Sequence, residues 1–173
     1  MIQAEKLSYS FPQKDLYHKI SFTLEDDTHC AFIGTNGTGK STLIDIILHP
    51  DKHLYDGRLT IDVPGKIGYV SQFYPLEEKS GMTVFEYLSE EFVRLQNKIN
   101  EICDAMAATE ELDELMERYQ NVMDEFQAID GDFYESNIRK QLKLANLKDY
   151  ENCLLTNLSG GEFKLIQVIR EMM

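Results

Sequence analysis

Residues Gly34-Thr35-Asn36-Gly37-Thr38-Gly39-Lys40-Ser41-Thr42 follow the spacing G-x-x-x-x-G-K-[ST], and each fixed position has a chemical task. Gly34, Gly37 and Gly39 let a backbone fold closely around an anion. Successive amides of such a loop, from Asn36 through Thr38 to Thr42, and the amino end of the helix that follows point at phosphate oxygens, where the helix dipole also favours negative charge. Lys40 supplies a point charge for the β- and γ-phosphates, and the Ser41 hydroxyl is a Mg²⁺ ligand. The chemistry implied is the binding of ATP with Mg²⁺.

A second glycine-rich segment, Leu158-Ser159-Gly160-Gly161-Glu162, precedes apolar residues at helical spacing, Phe163, Leu165, Ile166, Val168 and Ile169. Ser159 and Glu162 have the spacing of a capping box. A glycine-rich helix start with a free hydroxyl is a second anion site.

The elements that must carry these groups are legible from apolar patterning. Residues 20–24 and 29–33 have strand length and residue types, and the second run ends in Gly34. Ser41 to Leu48 reads as a short helix stopped by Pro50. Arg58 to Asp62 and Lys66 to Val70 read as two further strands. Thr83 and Glu86 form a capping box, after which Phe85, Leu88, Phe92, Leu95, Ile99, Ile102 and Met106 alternate at intervals of three and four. Leu112, Leu115, Tyr119, Val122, Phe126 and Ile129 repeat the alternation, and the short break near Ala107-Ala108-Thr109 makes the two helices antiparallel neighbours. The expected product is a helical hairpin over about 83–130, roughly 30 to 35 Å long. Asp130-Gly131 stops it, and Asp132 with Glu135 caps a further helix to about Leu147.

The chain has 173 residues and a formal net charge of -13, from 17 basic and 30 acidic side chains. Residues 77–135 hold seventeen of those carboxylates against four basic groups, so the hairpin's outer face is strongly acidic. Nothing global draws this surface toward nucleic acid or anionic lipid. The three cysteines, Cys30, Cys103 and Cys153, are too widely spaced for a disulfide framework or metal cluster. No run approaches the roughly 20 apolar residues of a bilayer span, and no secretory leader is legible. The expected location is cytoplasmic, without membrane insertion.

The loop at 34–42, Gln72 and Leu158–Glu162, in that order, resemble an ATP-binding cassette domain. The resemblance implies an α/β fold: an incomplete P-loop nucleotide-binding core with N-terminal antiparallel strands and an inserted α-helical subdomain. The expected organisation is a core over 1–76, a helical subdomain over 77–157, and the signature motif with the start of its helix over 158–173. It further implies that Phe11 stacks on adenine and that Gln72 contacts Mg²⁺ or the water near the γ-phosphate. Ser159, Gly160, Gly161 and Glu162 would act in trans, on ATP held by a second cassette in the same chain or a dimer. The family's Walker B aspartate, catalytic glutamate and switch histidine follow the signature helix and find no counterpart before Met173. His18, His29, His49 and His53 all precede it and read as packing or surface residues. The expectation is a truncated piece of an ATPase, able to bind nucleotide but inactive alone.

The long hairpin is similar to the arm of the ABC-F group, which implies two cassettes in one chain acting on the ribosome in translation or antibiotic resistance. Its acidity runs against contact with RNA. The alternative is the nucleotide-binding subunit of a membrane transporter, whose helical subdomain docks on a permease. A third reading is a non-catalytic assembly module with the hairpin as its handle.

Overall fold

The computed structural model describes residues 1–74, 79–109 and 112–173. It divides into two compact units, Met1–Ile67 and Gly68–Met173. The expected boundary at 76/77 lies outside the described residues.

The first unit is an antiparallel sheet with one helix on its face. Strands β1 (Ile2–Phe11), β2 (Lys14–Leu24) and β3 (Asp56–Ile61) lie in the order β2-β1-β3. Pro12 and Gln13 turn β1 into β2, so Phe11 sits opposite Lys14. Helix α1 (Lys40–Leu48) buries Leu43, Ile46 and Ile47 against Ala4 and Leu7 of β1. Removing those side chains from water is what fixes the helix on the sheet.

Two expected strands are absent. Residues 29–33 and 66–70 have no regular structure, and Ile33 is 94% exposed. Their residue types suit strands, but a strand exists only where a neighbour satisfies its amides and carbonyls. Among the described residues no such neighbour pairs with either run.

The second unit is helical. Helix α2 (Val84–Ala107) opens with the expected capping box: the Thr83 hydroxyl accepts from the Glu86 amide, and the Glu86 carboxylate accepts from the Thr83 amide at 2.7 Å. Helix α3 (Asp113–Ala128) returns antiparallel to it. The three-four alternation does pack as a seam, with Leu95, Ile102 and Val122 buried and Ile99, Met106, Tyr119 and Phe126 beside them. Arg94 joins the two helices, hydrogen-bonding Glu91 on its own helix and reaching Glu125 of α3 at 3.3 Å. No helix among the described residues is long and apolar enough to cross a membrane.

Helix α4 (Tyr134–Leu144) departs from expectation at both ends. Asp130 takes a left-handed conformation, Gly131–Phe133 form a 3-10 turn, and no side chain caps α4. The expected Asp132 and Glu135 cap is not made, because Phe133 holds the capping position. The helix stops three residues early, where Asn146 turns left-handed at φ 58°. The Leu147 amide then bonds to Leu142 O at 2.8 Å and the Asn146 amide to Lys143 O at 3.2 Å, the double closure of a Schellman ending. Helix α5 (Gly160–Met172) completes the unit. Its Phe163, Ile166 and Ile169 share a core with Val84, Tyr87 and Leu88 of α2 and with Tyr134, Ile138 and Leu142 of α4.

Candidate functional site

The expected phosphate loop spans the end of the irregular segment after β2 and the first turn of α1. Gly37 and Gly39 have φ of 83° and 98°, a region that L side chains adopt only with strain. The Thr38 hydroxyl donates to Thr35 O at 2.9 Å and tightens the loop. Gly34, Asn36, Gly37, Thr38 and Ser41 are exposed, and Gly39, Lys40 and Thr42 are half-buried.

Lys40 folds back over the loop, its ammonium donating to Gly34 O at 2.8 Å and Thr35 O at 2.9 Å. Both acceptors are neutral carbonyls, and among the described residues no carboxylate pairs with it. Helix α1 likewise starts without a side-chain cap and without an acidic residue in its first turn. A cation and an uncapped helix amino end therefore meet at Lys40, a setting that favours an anion. These groups fit a polyphosphate, with the exposed Ser41 hydroxyl at hand for a cation that phosphate oxygens hold.

Two braces of this loop are invisible in its sequence. The Tyr17 phenol donates to Gly39 O, and burial raises that phenol above its ordinary value. Lys14 reaches the loop crest, donating to Gly37 O at 3.2 Å. Both come from β2, more than twenty residues upstream, and no local pattern announces them. Phe11 is the strand partner of Lys14 across the turn. It is 46% exposed and meets Tyr9 edge-on at 5.3 Å.

The remaining expected site residues lie in the second unit. Gln72 is exposed in an irregular segment, and α5 ties down its neighbours: Lys164 donates to Ser71 O, and the Tyr69 amide donates to Glu171 at 3.3 Å. Ser159, Gly160 and Gly161 are exposed at the start of α5. The expected free hydroxyl is engaged, since Ser159 Oγ accepts from the Glu162 amide at 3.3 Å and the Glu162 carboxylate accepts from the Ser159 amide at 2.7 Å. A helix start satisfied by its own side chains has less need of an external anion. Hydrogen bonds from Ser159 and then from Tyr150 hold the Glu162 carboxyl below its ordinary value, so it carries charge there. The same bond raises the Tyr150 phenol.

Comparison with known proteins identifies the family. The family described as ABC transporter matches residues 17–173. A "Probable metal transport system ATP-binding protein" of Thermotoga maritima is 24% identical, over 100% of this chain and 57% of its own length. The energy-dependent translational throttle protein EttA of Haemophilus influenzae is 26% identical, over 92% of this chain and 29% of its own. A solved structure described as an inward-facing, metal-chelate type ABC transporter superposes with a TM-score of 0.55 at 21% identity, covering 99% of this chain and 55% of that one. The chain thus spans little more than half the length of the metal-transport relative, and less of the others. With the family's pattern running through nearly all of its residues, and with its α/β fold matched in a solved structure, this chain belongs to the ABC transporter family of ATPase domains.

Proposed function

We propose that this chain is the ATP-binding part of a membrane transporter's motor subunit. The observation that carries the reading is the uncapped start of α1 with Lys40 lying on neutral carbonyls. In this reading the amides of residues 36–42 and Lys40 hold the phosphates, Ser41 and Gln72 attend Mg²⁺, and Phe11 faces adenine. Ser159, Gly160, Gly161 and Glu162 close on the nucleotide of a second cassette. Bound ATP supplies the free energy of its terminal phosphoanhydride, and these residues bind, orient and exclude water. Catalytic turnover is an activity of the whole protein.

A permease is the favoured partner on two grounds. A relative matched over the whole chain is named for metal transport, and a matched structure is described as a metal-chelate transporter, which points to a metal or metal chelate as cargo. The acidic arm also suits the Lys- and Arg-rich cytoplasmic loops of membrane proteins and repels RNA phosphates. The second reading, an ABC-F protein on the ribosome, is favoured by the long α2–α3 hairpin and by the throttle protein among the relatives.

Titration of the full chain with ATP·Mg²⁺, compared with Lys40→Ala, tests the binding claim. Loss of a phosphate-directed charge is expected to weaken affinity by at least about tenfold. Unchanged affinity overturns the reading. Fractionation of cells expressing the protein separates the partners: recovery with membranes supports the transporter, recovery with ribosomes the ABC-F alternative.

A further inference from the structure

His53 reads from sequence as an ordinary packing or surface residue, yet its placement is selective. It follows the 3-10 turn Pro50–Lys52, and its side chain is 15% exposed while the adjacent Leu54 is 95% exposed. Hydrophobicity alone would put the leucine in and the histidine out. The ring is turned inward to make two directed contacts. Nε2 lies 2.8 Å from Asp45 Oδ2, and Nδ1 lies 3.4 Å from the Tyr9 hydroxyl. An ionised carboxylate only accepts, so Nε2 carries the proton, and in the neutral ring Nδ1 accepts from the Tyr9 O–H. Tyr9 and His53 also meet ring edge to face at 5.7 Å.

These contacts join the two ends of the proposed nucleotide site. Asp45 is on α1, one helical turn beyond Ser41, and Tyr9 is the residue against which Phe11 stands at 5.3 Å and 82°. The path therefore runs from the phosphate helix through Asp45, His53 and Tyr9 to the exposed Phe11 ring. His49 approaches the other oxygen of Asp45 at 4.0 Å, so that carboxylate faces a second imidazole as well. Without the path, Phe11 sits at a two-residue turn with a ring free to change rotamer. With it, the Tyr9 edge fixes where the ring can stand relative to the loop.

We infer that His53 is a positioning residue for the nucleoside end of ATP, setting Phe11 at a fixed distance from the phosphate loop. The inference rests on the reading of Phe11 as the adenine partner. It makes a prediction that a merely structural role does not: His53 governs selection of ATP over a bare polyphosphate. The test is calorimetric titration of the full chain with two probes, ATP·Mg²⁺ and tripolyphosphate·Mg²⁺.

Wild type is expected to prefer ATP, and Phe11→Ala to abolish that preference. His53→Ala and the isosteric Tyr9→Phe should each reduce it by about two- to tenfold, the range of one lost hydrogen bond, with tripolyphosphate affinity unchanged. Tyr9→Phe added to His53→Ala should produce no further loss, because both break one path. Equal weakening of both probes by Tyr9→Phe, or an unchanged ratio in Tyr9→Phe and His53→Ala while Phe11→Ala removes the preference, overturns the proposal. If Phe11→Ala itself leaves the preference intact, the adenine reading fails first. A His53→Ala protein that does not fold leaves the decision to Tyr9→Phe, which keeps the ring and removes one hydroxyl.

Discussion

Gly39 shows how one residue limits the loop. Its φ of 98° and its closeness to β2 act together, since an added Cβ would lie 2.4 Å from the Tyr17 hydroxyl and 2.7 Å from a Leu16 methyl. Gly37 has φ of 83° but open space around the same position. Alanine at either site meets a left-handed backbone penalty of about 1–2 kcal/mol, and only at Gly39 does it also displace the braces. Gly39→Ala should therefore lower the urea midpoint of the first unit clearly more than Gly37→Ala does. Equal losses would show that Leu16 and Tyr17 yield freely. The glycines themselves are readable as sequence. Tyr17 and Lys14 are not, because a bond from a strand to a loop carbonyl twenty residues away leaves no periodic trace.

At the scale of elements, α2 and α5 begin with reciprocal caps whose groups are only three residues apart, and such local chemistry is legible in a sequence. Strands are not local. Residues 29–33 and 66–70 have the residue types of strands but lack pairing partners among the described residues, and type alone cannot supply them. The start of α4 was hidden for a related reason: Tyr134 is fixed by stacking on Phe92 at 5.5 Å, not by an acidic cap. Ser159→Ala should destabilise the second unit by about 1 kcal/mol, read from chemical denaturation. Glu162 adds a pH dependence with a definite sign. Its carboxyl is held below the ordinary value by the Ser159 contacts, so its contribution is complete above the unfolded-chain value and is lost as pH falls through the lowered one. Glu162→Gln keeps an acceptor without the titration and should flatten that acidic slope. In the hairpin, Leu95 is fully buried, and Leu95→Ala should cost about 2–5 kcal/mol with loss of helical signal.

For the whole molecule, the distribution of charge matters more than its sum. More than half of the 30 carboxylates fall in residues 77–135, which makes this stretch the most acidic part of the sequence. Association through it with a basic membrane-protein surface should weaken steeply between about 50 and 500 mM salt, as the screening length shrinks from roughly 14 to 4 Å. An association indifferent to salt would assign the contact to another face. How the arm is mounted has a mechanical consequence. Gly131 lies so close under the Phe126 ring that an added Cβ would be 2.2 Å from it, and Phe126 continues through Phe92 to Tyr134 in a run of rings 5.7 and 5.5 Å apart. This is a clamped joint without slack, which makes the hairpin a lever and not a tether. With about 22 Å of helix between Phe92 and Ala107, turning that ring stack by about 10° would sweep the tip through about 4 Å, so small adjustments at the base would reach a partner as a larger stroke.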